Sequence, residues 1–126
     1  MAEHAKSEFA AKVLAAAEAC EVEIRAVPTP ELQPNIDKIW VRGMDGEERS
    51  KLSGVVSDRA TGKMRPDGNE RFVVRVACNE TGELLFTDGD VPAIRKWPAP
   101  LIQRIWEAAA PICGLASRQL EDDVKN

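Results

Sequence analysis

The sequence predicts an α+β protein, a mostly helical single domain with a small N-terminal antiparallel β-hairpin. Its length of 126 residues suits one compact domain. Residues 20–27 and 36–42 carry apolar side chains at every second position, which is the period of a half-buried strand. Residues 101–113 carry them at the period of a helix. We expect residues 1–126 to form one domain, with a helix that can move in 1–19, the hairpin in 20–42, a helical part in 45–120 and a disordered end in 121–126.

The composition is that of a soluble globular protein, with 44% apolar and 30% charged residues and a net charge of −4. No apolar run reaches the roughly 18 residues that a membrane span needs. Basic residues are spread among acidic ones, so no basic face for nucleic acid is expected. The N-terminus contains Glu3, Glu8 and Glu18 and lacks the continuous apolar centre of a signal peptide. We therefore expect a cytoplasmic protein that binds neither membrane nor nucleic acid.

The first predicted helix is rich in alanine and carries one narrow apolar stripe, formed by Phe9, Val13 and Leu14. This stripe either packs on the domain or binds a partner, so its three residues are candidates for partner contact. Since few other apolar positions support the helix, we expect it to depend on docking.

The hairpin is predicted from two alternating stretches that flank a loop with three prolines. In the first stretch, Val22, Ile24 and Ala26 should face the core. In the second, Ile39 and Val41 should face it, which leaves Trp40 on the wetter side. Trp40 either covers an edge of the core or anchors a partner, because tryptophan is enriched at interaction hot spots.

A helix is predicted to start at Asp45, since Glu48 stands three residues later as in a capping box. Residues 60–69 form a polar loop with glycine and proline. Residues 70–78 fit a strand by their valines and a helix by their spacing, and the residues alone leave this open.

The last long helix has an apolar face and a start marked by prolines, with Gly114 suited to its C-terminal cap. A short terminal helix should follow from Ser117. Trp97 and Leu101, where the long helix begins, either pack on the domain or bind a partner, so they are further candidates for partner contact. The apolar face consists of Ile102, Ile105, Trp106, Ala109, Ile112 and Cys113.

Four carboxylates crowd the stretch from Glu80 to Asp90 and raise the question of a metal or acid/base site. Asn79 and Gly82 indicate a turn, from which the glutamates point outward. Thr87 and Asp90 have the spacing of a capping box, although Pro92 fits the first turn better if Asp90 is the cap. We therefore interpret these acids as structural.

No other motif indicates catalysis. The glycines form no phosphate-binding pattern, and the only histidine is His4. Three separated cysteines without a C-x-x-C pair favour buried thiols over zinc. The sequence thus predicts no catalytic residue, no metal site and no cofactor, and we expect no enzyme.

Three stretches resemble a known family: "IWVRGMDGEERSKLSG" (39–54), "RFVVRVACNETGELLFTDGDVPAI" (71–94) and "LIQRIWEAAAPICGLASRQLEDDVKN" (101–126). Together they are similar to the tail assembly chaperones of long, non-contractile-tailed bacteriophages and prophages. The resemblance implies a non-enzymatic protein that binds the tail tape-measure protein and keeps it soluble during tube assembly. It also implies contact with the tail tube protein, a frameshifted longer form of the chain and self-association into a homo-oligomer, and it favours helix for residues 70–78. The alternative is a small structural or adaptor protein of a phage or prophage particle.

Overall fold

A computed structural model of the protein describes residues 7–115. The predicted terminal helix from Ser117 and the predicted disordered end lie outside these residues. Within them the fold is α+β and mostly helical, which confirms the predicted class. The elements are α1 (Glu8–Glu18), β1 (Ile24–Pro28), β2 (Lys38–Arg42), α2 (Gly46–Val56), α3 (Gly68–Val76), β3 (Ala77–Cys78), α4 (Val91–Ile94) and α5 (Ala99–Ile112), with 3-10 turns at Pro30–Leu32 and Asp88–Asp90.

The strands form an antiparallel sheet in the order β1-β2-β3. The predicted hairpin is therefore present, with Val27 opposite Ile39. Its inner face on β2 is as predicted, because Ile39 and Val41 are both buried. The third strand lies at the end of residues 70–78, where the sequence left helix and strand open, and it pairs through Ala77 opposite Val41.

The predicted inner face of the first strand is wrong. Val27 and Thr29 are buried, whereas Ile24 and Ala26 are exposed. Alternation shows only that every second residue shares a face. The register with β2 decides which face is inside, because Val27 lies beside the buried Ile39. Thr29 is satisfied there, since its hydroxyl donates to the Ile36 carbonyl at 3.2 Å.

Helix α2 starts at the predicted cap. The Asp45 carboxylate accepts from the Glu48 N–H at 2.8 Å, and the Glu48 carboxylate accepts from the Asp45 N–H at 3.1 Å. Two donors that would otherwise lack partners at the helix start are thereby satisfied. Leu52 and Val56 bury the inner side of this helix.

Residues 70–78 are helix followed directly by strand. Phe72, Val73 and Val76 are fully buried on α3. The backbone becomes extended at Ala77, with φ −67° and ψ 126°, and Ala77–Cys78 then pairs with β2. Both patterns in the sequence therefore have a counterpart in the structure. The helical spacing corresponds to α3, which covers most of the stretch, and the strand pattern corresponds to Ala77–Cys78 at its end.

Helix α5 supplies the centre of the core. Leu101, Ile105 and Ala109 are fully buried against the sheet and α3. At its C-terminal end, Gly114 takes φ +78°, and the Leu115 N–H donates to the Ala110 carbonyl at 2.9 Å. This bond satisfies one of the carbonyls that the end of a helix leaves without a partner.

The core position of Leu101 corrects one prediction. We expected Leu101 among the candidate partner contacts, but it has no exposed surface. The first turn of α5 points its leucine inward, so Leu101 holds the helix to the domain.

Gly43 marks a close approach between the sheet and α5. A β-carbon at this position would stand 2.5 Å from the Ile112 carbonyl oxygen. The Gly43 N–H also donates to the Glu23 carbonyl at 2.8 Å. Only a residue without a side chain fits between the end of β2 and the last turn of α5.

Among residues 7–115, no helix combines the length and apolar character needed to cross a membrane.

Candidate partner-binding surfaces

Helix α1 presents its apolar stripe to solvent. Phe9 is 76% exposed, and Val13 and Leu14 are each 48% exposed. No residue of this helix is buried. The helix starts at Ser7, whose hydroxyl accepts from the Ala10 N–H at 3.0 Å. Local capping therefore begins the helix, and the three apolar side chains remain available for contact with another molecule.

Trp97 lies in a surface notch at the start of α5. It is half-buried, and its ring meets Phe86 edge to face with centroids 5.4 Å apart. Trp106 from the next turns of α5 lines the same notch and stacks on Phe72 at 4.1 Å. Trp106 belongs to the apolar face predicted for this helix, but it is half-buried and reaches the surface at this point.

Trp40 occupies the outer face of the sheet, on the central strand β2. Its neighbours across the sheet are Ala26 and Cys78. The Lys38 ammonium lies 5.4 Å from the centre of the Trp40 ring, within the range of a cation–π contact. The tryptophan is half-buried, so it both covers the sheet and presents part of its ring to solvent.

The acidic stretch ending at Asp90 is built into the fold. Asp88 receives both arms of the Arg75 guanidinium, at 2.7 and 3.2 Å, which connects it to α3. That guanidinium lowers the pKa of the Asp88 carboxyl. The Asp90 carboxylate accepts from the Thr87 N–H at 2.9 Å, and the Asp90 N–H donates to the Thr87 carbonyl at 2.9 Å.

Both sequence interpretations of this helix start have a counterpart in the structure. Thr87 precedes the 3-10 turn Asp88–Asp90. Asp90 then precedes α4, whose first turn contains Pro92. The 3-10 turn that begins after Thr87 therefore leads directly into α4, which begins after Asp90.

The glutamates of this stretch lie on a turn. Gly82 has φ +91°, which favours glycine, and the Asn79 side chain accepts from the Thr81 and Glu83 N–H groups at 3.0 Å. The Glu83 carboxylate accepts from the Asn79 amide at 3.2 Å. Residues 7–115 contain no group of three or more side chains placed to hold a metal ion.

The two buried thiols are not activated as nucleophiles. Cys78 and Cys113 are buried, and burial raises the pKa of Cys78 and raises that of Cys113 to about 11. A reactive cysteine needs the opposite shift. The third thiol, Cys20, is exposed just after α1.

One larger depression, of about 550 Å³, lies along α2 and contains Ser50, Ser53 and Ser57. Lys51 and Asp58 line it as well, but the Lys51 ammonium donates to Glu47, the Asp58 carboxylate accepts from the Ala60 N–H, and the Ser50 hydroxyl donates to the Gly46 carbonyl, so none of these groups forms the hydrogen bond of a serine nucleophile with its base. Its geometry therefore does not indicate catalysis.

Sequence reasoning missed two polar features. Arg104 of α5 pairs with Glu31 through two bonds of 2.7 and 2.9 Å, which ties the hairpin loop to α5. This guanidinium lowers the pKa of Glu31. The other feature is Glu70, a nearly buried carboxylate in the notch beside Trp106. Its signal in the sequence was a charged residue among the apolar positions of α3.

Comparison with known proteins gives a likeness in structure. No family model matches the chain, and no curated protein matches it. The solved structure of the bacteriophage HK97 tail assembly chaperone matches with a TM-score of 0.53 and 17% sequence identity. The match covers 81% of this chain and 94% of the HK97 chain. The chain therefore has the fold of the HK97 tail assembly chaperone, which confirms at the level of the fold the family resemblance that the sequence indicates.

Proposed function

We propose that the protein is a non-catalytic phage tail assembly chaperone, which binds the tape-measure protein and keeps it soluble while the tail tube assembles. The observation that carries this proposal is the fold shared with the HK97 tail assembly chaperone over 94% of that chain. Because a fold can serve several functions, the proposal also needs a surface suited to the task.

Helix α1 provides that surface. A chaperone of this kind has to cover apolar segments of its partner, and Phe9, Val13 and Leu14 are exposed on one side of α1. Full burial of each such side chain stabilises a complex by about 1.5–3 kcal/mol before the costs of association are subtracted. An amphipathic helix of this type contacts a partner through side chains spaced three and four residues apart.

The shortness of α1 fits a role in binding. It has 11 residues, and isolated helices shorter than about 12–15 residues are marginal in water. Since no α1 residue is buried in the domain, docking on a partner would supply the packing that it lacks. The same proposal includes contact with the tail tube protein and with further copies or a longer form of the chain in the host cytoplasm.

Co-expression with the tape-measure protein of the same tail gene cluster tests the function. We expect the soluble yield of the tape-measure protein to rise and the two proteins to purify as a complex. An unchanged yield together with no detectable complex would contradict the proposed function.

Two double variants of α1 test the surface. Phe9→Ser with Leu14→Ser should abolish most of the gain in soluble yield, because it removes apolar area from the stripe. Ala11→Ser with Ala15→Ser introduces the same residue twice into the same helix, away from the stripe, and should keep the gain. Equal loss in both variants would show that helicity of α1, and not its stripe, is required.

Mass spectrometry of purified particles separates this function from that of a structural or adaptor protein. A chaperone leaves after assembly, so its peptides should be absent from particles that contain the tape-measure protein. Recovery of the chain in stoichiometric amounts would favour the structural alternative.

A further inference from the structure

The notch that contains Trp97 has the features of a binding site for one side chain. It lies between the first turn of α3, the segment that joins α4 to α5, and the outer side of α5. Its volume of about 260 Å³ is just below the roughly 300 Å³ at which ligand cavities begin, so it suits a side chain better than a cofactor. Its walls include Glu70, Arg95, Trp97, Ile102, Gln103 and Trp106.

Glu70 brings an unused acceptor into this notch. The residue is 9% exposed, and its Oε2 is buried without a hydrogen-bond partner among residues 7–115. Its Oε1 lies 3.9 Å from the Arg95 Nε, which is beyond hydrogen-bond distance. A carboxylate withdrawn from water without donors is costly, so a donor that enters the notch would gain from it.

Arg95 does not serve as the hydrogen-bond donor that the Glu70 carboxylate lacks. Its side chain is 51% exposed. The nearby Asp67 already has its own cation, since the Arg71 guanidinium at 3.0 Å is the main cause of the lowered pKa of Asp67 and the charge of Arg95 adds only a smaller effect. Because half of its side chain faces solvent and it lies 3.9 Å from the Glu70 carboxylate, Arg95 can move aside when another cation approaches Glu70.

The two indole rings that line the notch are held in place by contacts with other aromatic rings. Trp106 stacks on the fully buried Phe72, with ring centroids 4.1 Å apart. Trp97 is held by its edge-to-face contact with Phe86. Indole rings attract cations and cover aliphatic chains, and walls that are already ordered lose little entropy on binding. Ile102 adds an apolar surface beside them.

We propose that this notch binds one basic side chain, a lysine or an arginine, from a partner polypeptide. The cationic head donates to the Glu70 carboxylate, and the aliphatic stem lies along Trp97, Trp106 and Ile102. An acidic side chain could approach Arg95, but it would place a second carboxylate beside Glu70. This inference rests on the proposed function in one respect, namely that the partner is a polypeptide. The notch is a different surface from the α1 stripe.

The test uses NMR of the full chain labelled with ¹⁵N. The protein has three tryptophans, so the indole N–H signals of Trp97 and Trp106 report on the notch while Trp40 on the sheet serves as an internal reference. The probes are alanine-based pentapeptides, capped at both ends, with a central lysine, norleucine or glutamate. The lysine peptide should shift the two notch signals in a saturable way at millimolar concentration, and the norleucine and glutamate peptides should bind more weakly.

Three variants identify the groups responsible. Glu70→Gln keeps the shape of the side chain and should weaken lysine-peptide binding about fivefold or more, since it removes one charge-assisted hydrogen bond. Glu80→Gln, on the exposed turn, should leave binding unchanged. Arg95→Ala should leave binding unchanged or strengthen it, because it removes a competing cation.

Several outcomes would overturn the inference. Two concern the peptides: no shift of the Trp97 and Trp106 signals with the lysine peptide, or binding of the norleucine peptide as strong as that of the lysine peptide. Two concern the variants: lysine-peptide binding by Glu70→Gln that equals wild type, or binding by Arg95→Ala that is weaker than wild type. The absence of shifts would leave a buried water as the partner of Glu70. If the wild-type chain keeps the tape-measure protein soluble while the lysine peptide fails to bind, the site is wrong and the proposed function stands.

Discussion

The substitution Gly43→Ala tests the close approach between the sheet and α5. The added β-carbon would stand 2.5 Å from the Ile112 carbonyl oxygen and 3.3 Å from the Ile112 carbonyl carbon. Both atoms belong to the backbone, so no side chain can rotate to make room. The last turn of α5 or the end of β2 has to shift, and the Gly43 N–H bond to the Glu23 carbonyl would be strained with it.

The expected loss follows from the cost of one surplus carbon in a packed contact, which is about 1–3 kcal/mol of unfolding free energy. Domains of this size change Tm by about 3–5 °C for each kcal/mol. Gly43→Ala should therefore lower Tm by about 3–15 °C. Urea denaturation followed by circular dichroism measures the loss directly as a lower midpoint at unchanged slope.

Gly46→Ala is the matched control, because it makes the same change three residues later. Gly46 is the first residue of α2, and no neighbouring atom of residues 7–115 lies within 4 Å of a β-carbon added there. Alanine favours a helix over glycine by up to about 1 kcal/mol, so this variant should be as stable as wild type or more stable. A Gly43→Ala protein with wild-type stability would refute the close packing of β2 on α5.

Three further changes test contacts inside the domain. Asp45→Ala should lower the unfolding free energy by about 0.5–2 kcal/mol, because α2 loses its capping box. Phe72→Ala should lower it by about 3–5 kcal/mol and change the fluorescence of Trp106, which loses its stacking partner. The pKa of Asp88 is lowered by Arg75, so the stability from this pair is present above the ordinary aspartate pKa and is lost as pH falls through the lowered one. Asp88→Asn should therefore flatten the acid side of the stability profile, as measured by urea titrations between about pH 2 and 5.

Each of these changes also has an outcome that would contradict its physical reason. Wild-type stability of Asp45→Ala would show that water replaces the cap without loss. A small loss in Phe72→Ala, below about 1 kcal/mol, would mean that the centre of the core lies elsewhere. An acid profile of Asp88→Asn that overlies that of wild type would show that the exposed pair with Arg75 contributes nothing measurable.

Local chemistry made part of the fold predictable. The start of α2 follows from the spacing of Asp45 and Glu48, and both hydrogen bonds of this capping box are local in the chain. The face of β2 was also predictable, since Ile39 and Val41 are its apolar side. These features depend on residues close in sequence, and a pattern in the sequence contains that information directly.

Features set by distant parts of the chain were not predictable in the same way. The buried face of β1 depends on its register with β2, and the end of α3 depends on an open strand edge at Val41. Leu101 belongs to the core because α5 lies on the sheet and α3. The notch needed the same information, since Glu70 and Trp97 are far apart in sequence and only the packing of α3 against α5 brings them together.

The unequal burial of the three thiols makes the chain convenient for spectroscopy. Cys78 and Cys113 lie in the interior with raised pKa values, so they should react slowly with maleimides. Cys20 is exposed directly after α1. A fluorophore attached there, in the otherwise native protein, would report the environment of α1 without any engineered cysteine, and a change in its anisotropy would reveal when another molecule binds to this helix.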